Sequence, residues 1–237
     1  MAISELDLPV NVVAHSLADP QQLAQVLAED VARALRMALA DRGEASLVVS
    51  GGRSPVAFFE ALSSLPLEWK RVQVSLADER WVEPQDAASN EGLVRRHLLQ
   101  NEAASAQLIG LYRPAESLAE SARLAGEGLA ALKQPIDVLV LGMGDDGHTA
   151  SLFPGSPLLA KALREDCPER CLPMQAPVAP QQRITMTYPL LAQARLRCLA
   201  IQGPAKLDTL QQALSADPMQ MPIRAFLQSS LEIYWCA

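Results

Sequence analysis

The stretch IDVLVLGMGDDGHTASLFPG, residues 136–155, decides the architecture of this chain. Its first six residues, Ile136 to Leu141, are apolar except for Asp137, with no alternation that would leave one face wet. A strand of this kind is buried on both faces, as in parallel sheets covered by helices. Gly142 and Gly144 follow at once and end the strand in a loop. Upstream, Leu118, Ala122, Ala125, Leu129 and Leu132 recur at helical spacing, so a helix feeds the strand. Helix, buried strand and glycine-rich loop together form the repeating unit of an α/β sheet.

The same alternation extends in both directions. Val10 to Ala14 is apolar enough for a first strand. Asp19-Pro20 supplies an N-cap and a first-turn proline, Leu23, Leu27, Val31, Leu35 and Leu39 line one helical face, and Gly43 stands at the C-cap. Ser46 to Val49 reads as a strand, Ser54-Pro55 as the cap of another helix, and Val72, Val74 and Leu76 as a third strand. A helix is expected from Asn90 to Leu99, strands at 183–187, 196–201 and 231–235, and a helix from Ala205 to Leu214. The proline-bearing stretch Cys167–Pro180 reads as loop. The expected fold is a single α/β domain over residues 1–237, its mainly parallel sheet flanked by helices on both faces. In such sheets ligands bind beyond the carboxyl ends of the strands.

Composition narrows the function. The net charge of −7, with aromatic residues at 4% and no basic run, argues against a nucleic-acid partner. A small anionic substrate is compatible with it, because a few arginines or lysines set the field in a cleft. No apolar run reaches the ~20 residues that a membrane span needs. The opening MAISELDLPV lacks a basic segment before an apolar core, so a cytoplasmic location is expected. Cys167, Cys171, Cys198 and Cys236 then read as reduced thiols. They lack a His/Cys partner pair at zinc-site spacing, so neither metal nor cofactor is expected. The chain is expected to act as a monomer or weak homo-oligomer.

Four loops carry the candidate chemistry. Ser50-Gly51-Gly52-Arg53-Ser54 joins a strand to a helix; its backbone N–H groups, hydroxyls and arginine suit a phosphate, although a tight turn alone would also need glycine. Asp78-Glu79-Arg80 closes the next strand and precedes Asn90. These charges either face water, or Arg80 holds a substrate oxygen while Asp78 or Glu79 takes sugar hydroxyls or orients the arginine. Gly142 to Gly147 formally fits G-x-G-x-x-G. Asp145 and Asp146 would face a pyrophosphate, however, and no acid ends a strand ~20 residues on, so a dinucleotide site is rejected. Better is the conjunction of glycines, acids and His148, whose imidazole can take a proton from water with Asp146 to orient it; a purely structural histidine is the alternative. Arg183 and Lys206 complete the set, the latter in the first turn of a helix, where a cation opposes the dipole and an anionic ligand would explain it.

With these residues assembled, the chain resembles the 6-phosphogluconolactonases, within the wider glucosamine-6-phosphate isomerase/deaminase-like fold. The matching stretches are LVVSGGRSP (47–55), ADERWVEPQDAASN (77–90), LGMGDDGHTASLFPGSP (141–157) and RITMTYPLL (183–191). The resemblance implies the fold shared with ribose-5-phosphate isomerase A and glucosamine-6-phosphate deaminase. It also implies metal-independent hydrolysis of 6-phospho-D-glucono-1,5-lactone in the oxidative pentose phosphate pathway. By resemblance His148 is the general base, with Arg80 and Asp146 beside it. Ser50, Gly51, Gly52, Arg53, Ser54, Asp78, Asn90, Gly144, Gly147, Arg183 and Lys206 are expected to bind substrate. Arg53 departs from the small hydroxylic residue common in the family. Two rivals remain on the residues alone: a sugar-phosphate isomerase or deaminase using Asp78, and a sensor that binds without turnover.

Overall fold

The computed structural model describes residues 3–237; Met1 and Ala2 of the acidic opening stretch lie outside them. The strands are β1 Val12–Leu17, β2 Ala45–Val49, β3 Val72–Leu76, β4 Asp78–Arg80, β5 Gln107–Ile109, β6 Val138–Leu141, β7 Cys171–Gln175, β8 Gln182–Met186, β9 Leu196–Gln202 and β10 Leu231–Cys236. The helices are α1 Pro20–Arg42, α2 Val56–Ser63, α3 Asn90–His97, α4 Leu118–Gly128, α5 Leu159–Leu163, α6 Tyr188–Ala192, α7 Pro204–Ala213 and α8 Ile223–Phe226. Seven strands form a wholly parallel sheet in the order β1-β10-β9-β6-β2-β3-β5. The other three, β4-β8-β7, form a small antiparallel sheet beside it.

Every residue of β2 and β6 is buried, on both parities of the strand, so both faces of the sheet centre are covered. The α1 face of Leu23, Leu27, Val31, Leu35 and Leu39 is buried as its spacing requires. The Asp19 carboxylate accepts the Gln22 N–H at 2.8 Å, and Gly43, at φ 77°, donates its N–H to Leu39.

Three expectations need correction. Val10 belongs to no strand: it is wholly exposed, in a turn closed by the Val12 N–H to Pro9, and β1 starts two residues later. Ser54 does not cap α2, whose first turn follows Pro55 with no side-chain cap. The Cys167–Pro180 stretch contains β7, paired antiparallel with β8. Its Pro173 is tolerated because β7 is the edge of its sheet, where a missing N–H can fall on the open side.

The strand order places the site. From β2 the chain steps outward through β3 to β5, then returns to β6 on the other side of β2. The loops after β2 and β6 therefore diverge at a reversal of strand order, where parallel sheets open a crevice at their carboxyl ends. Those two loops are the Ser50–Ser54 turn and the Gly142–His148 segment. No helix among the described residues is long and apolar enough to cross a membrane.

Candidate active site

An open cleft of 310 Å³ lies at this crevice, lined by residues of the loops after β2 and β6 and of the small sheet, among them Ser50, Gly51, Asp78, Arg80, His148 and Arg183. Gly52, Ser54, Asn90 and Gly144 also line it. Arg53, Asp146, Gly147 and Lys206 lie outside the lining, Arg53 on the exposed surface.

The β6 loop holds His148 in a defined orientation. Gly144 donates its N–H to the His148 carbonyl and accepts the Gly147 N–H, which folds the segment back on itself. A Cβ on Gly144 would stand 2.1 Å from His148 Nδ1, so only glycine permits this approach. Asp146 Oδ1 meets His148 Nδ1 at 2.5 Å and also accepts the His148 N–H at 3.1 Å. With Nδ1 engaged, Nε2 has no protein partner among the described residues and is the nitrogen available to a reactant. The ring packs on Phe153, centroids 4.4 Å apart. Burial works to raise the Asp146 carboxyl, but the His148 hydrogen bond and charge outweigh it and hold the carboxyl below its ordinary value.

Lys206 is placed differently from the cations of the cleft. Its ammonium donates to the Met143 carbonyl at 2.8 Å and to Asp145 at 2.5 Å. This internal partner accounts for a cation in the first turn of α7, and it ties the β6 loop to that helix. Asp145 is otherwise exposed.

Two arginines face each other across the small sheet. Arg80 on β4 stands directly opposite Arg183 on β8, so both side chains leave the same face of the antiparallel pair. Like charges in that relation repel. Among the described residues neither has a carboxylate within ion-pair distance: Arg80 donates to the Ala88 carbonyl at 2.5 Å and Arg183 to the Pro180 carbonyl at 2.7 Å. The Arg183 guanidinium also lies 5.7 Å from the Phe153 ring centre. Burial lowers the Arg183 pKa, and the neighbouring Arg80 charge pushes the same way, together outweighing the opposite pull of Asp78 and Glu79. Two cations held together at a cost, with no carboxylate close enough to pair with either among the described residues, fit an anionic ligand.

Three buried polar atoms of the cleft lining have no protein partner among the described residues: Ser50 Oγ, Arg80 Nε and Asn90 Oδ1. Buried polar groups normally find partners, so their convergence in one cleft points to ligand contacts. Asp78, 6% exposed, accepts the Ser151 hydroxyl at 2.6 Å. Gly51 touches Asn90 so closely that a Cβ there would come 1.9 Å from Asn90 Oδ1.

One contributor escaped the sequence reading, and a second residue, Glu79, does not reach the cleft where sugar hydroxyls were expected of it. Phe153, the platform shared by His148 and Arg183, stands in an apolar segment that looks like ordinary core. Glu79 is wholly buried and turned from the cleft, on the opposite side of β4 from its neighbours. The period-2 alternation of a strand would have separated it from Asp78 and Arg80 had β4 been recognised. Among the described residues no group of three or more His, Cys, Asp or Glu could hold a metal ion.

The family described as glucosamine-6-phosphate isomerases/6-phosphogluconolactonase matches residues 18–235. The chain is 58% identical over 236 residues to the 6-phosphogluconolactonase of Pseudomonas aeruginosa, covering 99% of both chains. It is 56% identical over 237 residues to that of Pseudomonas putida, covering 100% of this chain and 98% of the relative. The crystal structure of a 6-phosphogluconolactonase from Shewanella baltica OS155, 41% identical, matches with a TM-score of 0.93 over 97% of this chain and 100% of that one. A monomeric glucosamine-6-phosphate deaminase, 16% identical, shares the fold with a TM-score of 0.77 over 94% of this chain and 97% of its own.

Proposed function

The chain belongs to the glucosamine-6-phosphate isomerase/6-phosphogluconolactonase family, and from that membership we propose that it hydrolyses 6-phospho-D-glucono-1,5-lactone to 6-phospho-D-gluconate. The reading places it in the oxidative pentose phosphate pathway, in the cytoplasm. The observation that carries it is the cleft itself, where an imidazole held by a carboxylate shares the lining with two guanidiniums that have no ion-pair partner among the described residues.

The mechanism follows from those groups. His148 Nε2 takes a proton from a water molecule as its oxygen attacks C1 of the lactone. The carbonyl electrons move onto oxygen, and the oxyanion so formed is held by the Arg80 guanidinium. The intermediate collapses, the bond from C1 to the ring oxygen breaks, and the imidazolium returns its proton to that leaving oxygen. Asp146 fixes the imidazole through Nδ1 and stabilises the imidazolium between the two transfers. Arg183, with the Ser50–Ser54 turn, is assigned to the phosphate, far from C1, where binding energy becomes orientation of the reacting carbon. Ser50 Oγ, Asn90 Oδ1 and Asp78 are assigned to the sugar hydroxyls.

Asp146→Asn is expected to lower kcat about tenfold, a modest loss because the carboxylate is 43% exposed and water can partly replace it. A kcat equal to wild type would remove Asp146 from the mechanism. The test of the function is hydrolysis of freshly made 6-phosphoglucono-δ-lactone, corrected for spontaneous opening, with and without chelator. Turnover well above background and insensitive to chelator is expected. A rate equal to background, with turnover of glucosamine 6-phosphate, would move the chain to the deaminase branch of its family.

A further inference from the structure

We propose that Glu79, which faces away from the cleft, is a positioning residue that sets Arg80 and Asn90 in place for the reaction; the proposal rests on the lactonase reading above. Its carboxylate is fully buried and accepts four hydrogen bonds. Oε1 accepts the N–H groups of Arg80 and Asn90, each at 2.7 Å. Oε2 accepts the Glu91 N–H at 2.7 Å and the Ser89 hydroxyl at 3.0 Å. Asn90 and Glu91 open α3, so two of these donors are the unpaired N–H groups of a helix start, where a negative charge is favoured. Ser89 in turn accepts the Gly92 N–H at 3.0 Å. One side chain thus fastens the start of α3 to β4 between two residues of the cleft.

The fastening reaches the substrate side through Asn90. Its amide returns Nδ2 to the Asp78 carbonyl at 2.9 Å and sets Oδ1 against Gly51. Strand β4, the start of α3 and the Ser50–Ser54 turn are therefore linked through Glu79 and Asn90. Glu79 also receives only neutral donors. An acid next to Arg80 in sequence could have quenched the guanidinium; turned inward and saturated by N–H and O–H groups, it leaves that cation for a ligand. Burial pushes its carboxyl up to about 7, against the pull of the Asn90, Glu91 and Arg80 N–H groups.

A second buried carboxylate supplies the control. Asp137, 3% exposed, lies at the opposite, amino end of β6 and is bound by Arg42 at 2.7 Å and the Ser46 N–H at 2.9 Å. It is as buried as Glu79 but remote from the strand ends that form the cleft.

The test compares kcat, KM and melting temperature for wild type, Glu79→Gln, Ser89→Ala and Asp137→Asn, all as full-length chains. In Glu79→Gln one acceptor oxygen becomes an NH2 group facing N–H donors. Its kcat/KM is expected to fall about tenfold or more, chiefly in kcat. Ser89→Ala, which removes one donor, is expected to lose about threefold. Asp137→Asn is expected to melt lower with an unchanged kcat/KM at temperatures where it is folded. A Glu79→Gln enzyme within twofold of wild type, or an Asp137→Asn enzyme equally impaired, would overturn the proposal. Should Glu79→Gln fail to fold, an unimpaired Ser89→Ala enzyme overturns it instead. A wild type without lactonase turnover would overturn the functional reading itself, and this proposal with it.

Discussion

His148→Ala is expected to lower kcat for lactone hydrolysis by about 10²–10⁴ while leaving the fold intact, since that is the range a positioned general base supplies. The size of the loss follows from how completely the loop commits this imidazole. Nδ1 is taken by Asp146, and the ring plane is set by Phe153 and by a backbone turn that only Gly144 allows. Nε2 is left as the proton acceptor. The variant should fold because the ring is 30% exposed and stands in a loop at the cleft, outside the strands and helices. Circular dichroism and melting temperature check the fold, and initial rates corrected for spontaneous opening check the chemistry. A well-folded variant with kcat within threefold of wild type would defeat the assignment, and the base would have to be sought among the other cleft residues.

The sequence revealed this loop for a physical reason. A buried parallel strand such as β6 leaves a continuous apolar run, and the polar and glycine residues that end it stand out against it. The same contrast exposed Ser50 to Ser54 after β2 and Asp78 to Arg80 after β3. Long α1 was legible because both of its caps and its apolar face agree. What stayed hidden depended on partners distant in sequence. β4 is three residues long and exists only because β8, about a hundred residues later, pairs with it. With that strand unseen, the opposition of Arg80 and Arg183 was invisible, as was the inward turn of Glu79. β7 was masked by Pro173 and by the prolines that flank it, which are loop-formers except at a sheet edge. Lys206 shows the converse: a cation that opposes the helix dipole does meet an anion, but that anion is Asp145 of the same chain.

Arg183→Met is the second large effect expected, and it separates function from stability. Arg183 is 6% exposed, stands opposite another arginine and has no ion-pair partner among the described residues. A desolvated cation in that position opposes folding, and its repulsion from Arg80 adds to the cost. Met has similar reach, can keep contact with Phe153 and carries no charge. The melting temperature of the variant is therefore expected to equal or exceed that of wild type. Activity should move the other way. Without Arg183 the substrate phosphate loses a charge-assisted contact in a partly water-excluded cleft, and kcat/KM is expected to fall by about 10²-fold, mainly through KM. If Arg183 instead holds the oxyanion, the fall of about 10²–10³ will lie in kcat, so the split assigns the cation as well as testing it. A variant that melts lower and keeps its kcat/KM would make the arginine pair a structural feature. Higher stability with lost turnover would mean that Arg183 is held beside Arg80, against their repulsion, for the substrate it binds.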